Sequence, residues 1–239
     1  MWRWLMGLGL AAAVLPGWAA TPGTGSLAVV SRLLEANKGC SGKAVLRLLT
    51  PKRAELLRTD LDLVFRDGQL RMAMDLSRAK SSKLTPAKAT QLRQLGLHLM
   101  VSWLLPDEKR MRVAYPAHKA FYEQPLPQRD AKVYAAKLQK KYQAAGKGEV
   151  GAWNCEVFDV TLSGGGVGPL KAKVWRAGRL NWFPVQFEVT EGVMTVQLTF
   201  TEVNRTVPPA ARFEPPAGYR KFADAEAFSK TLTGGGKKR

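Results

Sequence analysis

The sequence predicts an α+β chain that is mainly antiparallel β, with a few helices laid over one face of the sheet. Two observations carry this. Apolar residues recur at every second position: Leu61, Leu63 and Phe65; Leu70, Met72, Met74 and Leu76; Phe183, Val185, Phe187 and Val189; Met194, Val196, Leu198 and Phe200. Asp60, Asp62, Arg71, Gln186, Glu188, Gln197 and Thr199 fill positions between them. A period of two sends alternate side chains to opposite faces, and an apolar sheet face has to be covered. The second observation is that helical spacing is confined to short stretches, so the cover is thin.

The chain has 239 residues, 46% of them hydrophobic and 23% charged, which suits one domain with a sizeable core. The N-terminus reads as an export signal over residues 1–19. Arg3 supplies the charge, residues 5–15 are uncharged, and Gly17 and Ala19 are the small residues of a cleavage site. That apolar run is shorter than the roughly 20 residues a membrane span requires. No cysteine follows it closely, so a lipid anchor is not expected. The mature chain is therefore expected to be periplasmic, soluble and monomeric, with one domain over 20–232 and a basic tail over 233–239.

Charge and cysteines add to this. Lysine and arginine outnumber the acids 37 to 19, for a net charge of +18. A field of that sign favours anionic partners such as an envelope surface, and export argues against nucleic acid. Cys40 and Cys155 are the two cysteines. An oxidising compartment permits a bridge between them, which would constrain the unfolded chain by about 4–5 kcal/mol. Two separate buried thiols are the other reading. With only His98 and His118 to join them, no paired ligand spacing exists, so neither metal nor cofactor is expected.

In chain order, Ser26 is the expected N-cap of a helix over 27–37, with Leu27, Val30, Leu33 and Leu34 on one side. A strand over 43–50 follows. Asp67-Gly68 joins two alternating strands as a hairpin. Thr85-Pro86 opens a helix that runs to about residue 95. Segments 97–104 and 109–115 form a second hairpin, with Leu99, Val101, Trp103, Met111 and Val113 inward. Helical spacing returns over 129–142 in Ala131, Tyr134, Ala135, Leu138 and Tyr142. Four strands follow within 147–219, closing on a Pro-rich corner, and a short helix spans 224–232.

Several segments together resemble a known family: RDGQLRMAMDLS, SWLLPDEKRM followed by AFYEQPL, GAWNCEVFDV, KVWRAGRLNWFPVQFEV and FEPPAGYRKF. They are similar to exported proteins that share the LolA/LolB-like fold of outer-membrane lipoprotein carriers. The resemblance covers most of the mature chain. It implies a strongly curved, unclosed antiparallel sheet, an unclosed barrel, holding an apolar cavity lidded by helices. It also implies an apolar guest, a lipid or lipoprotein acyl chain.

Catalytic patterns are missing. Ser163 lies in SGGGVGP, which has neither the nucleophile elbow nor a following helix to cradle phosphate. The chain is thus expected to be a non-enzymatic binding protein, a carrier or sensor. Its cavity wall would be Leu63, Phe65, Met72, Met74, Val101, Trp103, Met111, Phe187, Val196, Leu198 and Phe200. Methionine suits adaptable apolar sites. Arg71, Lys137 and Lys141 are candidates for an anionic head group at the mouth. The alternative is a basic structural protein docking on an anionic envelope component.

Overall fold

The computed structural model describes residues 24–234. The expected signal segment and the last residues of the basic tail lie outside these described residues. Helix α1 (Thr24–Leu34) leads into β1 (Gly39–Leu49), β2 (Glu55–Arg66) and β3 (Gln69–Asp75). A two-residue β4 (Lys80–Ser81) and α2 (Pro86–Gln94) precede β5 (Leu99–Leu105), β6 (Arg110–Tyr115) and β7 (Ala120–Pro125). Then come α3 (Gln128–Ala135), β8 (Gln139–Val150), β9 (Trp153–Gly164), β10 (Val167–Ala177), β11 (Phe183–Glu191) and β12 (Met194–Asn204). A short β13 (Arg220–Phe222) and α4 (Ala225–Gly234) end the described chain.

All strands share one sheet, ordered β13-β7-β6-β5-β3-β2-β1-β12-β11-β10-β9-β8, with β4 paired to β2. Every ladder is antiparallel except the β13–β7 pair. The sheet is two meanders, β1 to β7 and β8 to β12, joined where β1 pairs with β12. Its ends, β13 and β8, do not pair with each other, so it is open.

Local chemistry explains the turns. Asp67 and Gly68 both take positive φ, at 47° and 83°, the geometry a two-residue hairpin requires. Gly165 and Gly166 do the same between β9 and β10. Thr85 caps α2 by accepting a hydrogen bond from the Lys88 amide at 3.3 Å, with Pro86 in the first turn.

Curvature follows from where α1 lies. Six strand steps separate β2 from β8, on the order of 29 Å along a flat sheet. Yet Ser31 Oγ donates to the carbonyl of Gly68 beside β2 at 2.7 Å, while the carbonyl of Arg32 accepts from Lys140 on β8. Neighbouring residues of one helix touch both places, so the sheet is curled around α1.

Three expectations are corrected. The helix expected over 129–142 ends at Ala135, and its second half is the strand β8. This edge strand is exposed on both faces along most of its length, so it carries no alternating apolar set to announce it. Val101 and Trp103 face away from α1, as does Leu99, because β5 pairs Met72 with Ser102 and Leu70 with Leu104 on the inner side. Cys40 and Cys155 are free buried thiols. Both side chains lie in the buried apolar cluster, and Cys155 Sγ donates to the carbonyl of Trp153 at 3.4 Å instead of bonding to Cys40.

Burial pushes the Cys40 thiol up to about 12, and it is fully enclosed. Both thiols are expected to resist a thiol reagent in the native protein at neutral pH. Unfolding without reductant should release two equivalents, read by absorbance; release of none would show a bridge.

Candidate functional site

The inner wall of the curl is continuous and apolar. Leu63 opposes Met72, Leu61 opposes Met74, and Phe187 opposes Leu198 in the ladders. Phe65, Met111 and Phe200 join them in one buried cluster, and Val196 is buried on the same side of β12. Nine of the expected wall residues therefore share this side, and Val101 and Trp103 do not.

The cavity expected between sheet and helices is occupied by the protein itself. Ala28, Val29, Val30, Leu33 and Leu34 of α1 pack against the wall and are almost fully buried. Val133 of α3 and Leu92 of α2 extend the cluster. At the far end Phe228 of α4 stacks on Tyr115 at 5.0 Å and meets Phe222 edge-on at 5.4 Å. The short helices suffice because the sheet closes tightly upon them.

Polar contacts fix α1 within the curl. Ser26 Oγ donates to Glu191 at the end of β11 at 3.2 Å. Arg32 donates to the carbonyl of Ala136 at 2.9 Å, and Lys140 reaches Glu35 at 3.4 Å. Arg129 of α3 also pairs with Glu191, tying α3 to the same hairpin.

Asp130 is the anomaly of this interface. It is fully buried on α3, and neither carboxylate oxygen has a hydrogen-bond partner. Burial, with the charge of Glu191 added and that of Arg129 opposing, pushes its pKa up to about 7. Below that pH the protein keeps it neutral; above, α3 holds an unpaired charge. The helices filling the curl are thus docked with an internal penalty that grows with pH.

A second core lies on the outer face. Val64, Val101, Trp103, Leu105 and Ala114 pack there against Phe213, on the connection spanning residues 205–219. Backbone carbonyls of this strap are held by side chains from the sheet. Trp103 Nε1 donates to Arg212 at 3.1 Å, Arg112 to Phe213 at 3.0 Å and Arg66 to Pro208 at 3.0 Å. Arg112, only 8% exposed, also makes two bonds to one oxygen of Glu123, at 2.9 and 2.8 Å. Burial opposes ionisation of Glu123, but Lys221 and Arg112 outweigh it and hold the carboxyl down at about 2. Sequence reading missed this group because β6 and β7 had to be put in register before Arg112 and Glu123 became neighbours.

The three candidate head-group residues do not converge. Arg71 belongs to the outer face, its guanidinium 5.8 Å from the Trp103 ring, and burial followed by the charge of Arg212 lowers its pKa. Lys137 and Lys141 are exposed at and before the start of β8. Two grooves open elsewhere. One of about 420 Å³ is bordered by Arg47, Arg58, Trp153 and Thr199; another of about 320 Å³ by Lys43, Asp62, Glu202 and Arg212. Among the described residues no three His, Cys, Asp or Glu side chains gather as a metal site, and no helix is long and apolar enough to cross a membrane.

Comparison with known proteins places similar shapes beside this one. No protein family and no curated protein matches the sequence. Among solved structures, the Mycobacterium tuberculosis lipoprotein LppX is 11% identical, with a TM-score of 0.40 over 78% of this chain and 98% of its own. A LolA superfamily protein from Nitrosomonas europaea is 10% identical, with a TM-score of 0.35 over 77% of this chain and 97% of its own. MucB, solved in complex with MucA, is 11% identical at a TM-score of 0.38; the match covers 79% of this chain but 58% of that one.

Two substitutions test the site's energetics. Asp130→Asn removes a group whose folded pKa is raised, so the wild-type penalty appears between the unfolded carboxyl range near 4 and about 7 and is complete above it. The variant should match wild type near pH 4 and exceed it by a few kcal/mol, to order of magnitude, at pH 8 in urea unfolding. Arg112→Ala strands Glu123 and the Phe213 carbonyl under the strap and should cost about 3–5 kcal/mol in the same assay. The double variant Arg112→Met with Glu123→Leu should cost clearly less.

Proposed function

We propose that this chain is a non-enzymatic binding protein of the periplasm whose curled sheet shelters an apolar or acyl chain, and that α1 is the resident occupant which the guest displaces. The observation that carries this is the position of α1. A short helix near the N-terminus fills the inner wall with small and medium apolar side chains, while its fixing contacts are side-chain bonds at a few points. An acyl chain offers the wall the same kind of surface, at about 25 cal/mol for each Å² removed from water. Phe65, Met72, Met74, Met111, Phe187, Leu198 and Phe200 would then pass from helix contacts to guest contacts. Methionine tolerates such an exchange because it adapts to irregular apolar shapes, and phenylalanine supplies large apolar area. The LolA/LolB-like segments of the sequence point the same way.

The unpartnered Asp130 supports the displacement. A helix pair docked over an unpaired carboxyl is easier to release than one docked over a satisfied core. The basic surface supports a second reading, attachment to an anionic envelope component by charge alone.

A fluorescent fatty-acyl probe separates the two. Probe fluorescence should rise on binding the native chain, and hydrogen exchange should show the amides of α1 losing protection at the same time. Leu198→Glu, checked for folding by circular dichroism, should abolish the rise. Probe uptake with α1 still protected would overturn the displacement. No uptake, with vesicle binding that salt abolishes, would move the function to the basic surface.

A further inference from the structure

We propose that β8 is a docking edge that accepts an extended acidic segment of a partner protein as an added strand. The two ends of the sheet are treated differently. At one end, β7 is covered by β13, and Lys221 of β13 pairs with Glu123 of β7. At the other, β8 pairs with β9 alone. Among the described residues no backbone hydrogen bond reaches its outer side. It is 12 residues long, as long as any strand of the sheet, and exposed along most of its length. A long unpaired edge is a ready template for another strand, and proteins normally blunt it.

Two features of β8 limit what can pair with it. The register shifts between Ala144 and Gly146, with Gly146 at φ 114°, so the regular part of the edge is residues 139–144. That part is lysine-rich, and it is preceded by Lys137. Lys137, Lys141 and Lys147 make no ion pair among the described residues, whereas Lys140 turns inward to Glu35. Two such edges brought together would set lysine against lysine, which disfavours a second copy of this chain.

An acidic strand meets no such obstacle. Lys141, Thr161 and Lys171 stand in one cross-strand row, followed by Gln143, Asp159 and Lys173. An added strand extends these rows, and a carboxylate opposite Lys141 would lie within reach of uncompensated charge. On the other face Tyr142 leans on Phe158, ring centres 6.1 Å apart, with the guanidinium of Arg176 4.9 Å from the Tyr142 ring. Tyr142 and the neighbouring Ala144 form an apolar ledge there. The partner segment that fits therefore alternates acidic with apolar residues, acids on the Lys141 face and apolar side chains over Tyr142.

The test uses the whole chain and a short fluorescein-labelled peptide alternating glutamate and valine. Polarisation should report binding that weakens with salt, and hydrogen exchange should show new protection of β8 amides. The double variant Lys137→Glu and Lys141→Glu, at exposed positions, should bind roughly tenfold more weakly. A peptide N-methylated at alternate amides keeps its charge but cannot complete a ladder, and it should not bind. Equal binding of the methylated peptide, or binding without protection of β8, would overturn strand addition in favour of charge attraction alone. Protection of β8 by self-association of the chain, unrelieved by the peptide, would hand the edge to a second copy and also overturn the proposal.

Discussion

The burial of α1 inside the sheet is the constraint on which the rest depends. An open sheet of this length can twist in many ways, and one apolar face alone does not choose a radius. The helix does. Its side chains set the distance between walls six strands apart, and its bonds to Gly68, Ala136 and Glu191 set where along the curl each wall meets it. Removing the helix would leave the inner faces of both meanders facing water across an empty trough. The trough is filled by an apolar rod, and the wall facing it is apolar along its length.

The outer face has its own logic. β5 is apolar on both sides because it is covered on both sides, by the helices within and by the 205–219 strap without. The strap has little secondary structure to satisfy its carbonyls, so Arg66, Trp103 and Arg112 satisfy them from the sheet. Arg112 can be buried there because Glu123 neutralises it, and the pair is anchored again by Lys221. The cluster binds the last strand of the described chain to the first meander. It belongs to architecture, apart from the helices inside the curl.

Much of this was legible in the sequence where one face is wet and the other dry. The hairpin at Asp67-Gly68 announced both its turn and its register, because Asp62 and Arg66 point away from Leu61, Leu63 and Phe65. The strands holding Phe187 and Leu198 were equally plain. Legibility failed where alternation does. β5 reads LMVSWLL, and nothing local says that Ser102 faces inward while Trp103 faces out. β8 failed for the opposite reason, since a strand solvated on both faces has no period to detect, and Leu138 and Tyr142 continue by chance the helical spacing of Tyr134 in α3. Asp130 was invisible as well. Its position in an exposed-looking QRDAK segment gives no hint that α3 presses it into the interior.

The pairing of β1 with β12 has a consequence in time as well as in space. Ser41 lies opposite Asn204 and Leu49 opposite Thr195, so the ladder that unites the meanders joins the first part of the chain to nearly its last. Chains dominated by such distant pairings assemble slowly, because the entropy of closing the large loop is lost before any contact rewards it. The first meander can form while the second is still unmade, but α1 has no closed curl to enter until β11 and β12 arrive. While the chain folds, the helix and the bare inner strands are therefore the last surfaces to be hidden. A chain built this way spends its immature life as an exposed apolar trough, and that interval is when a chaperone would have most to hold.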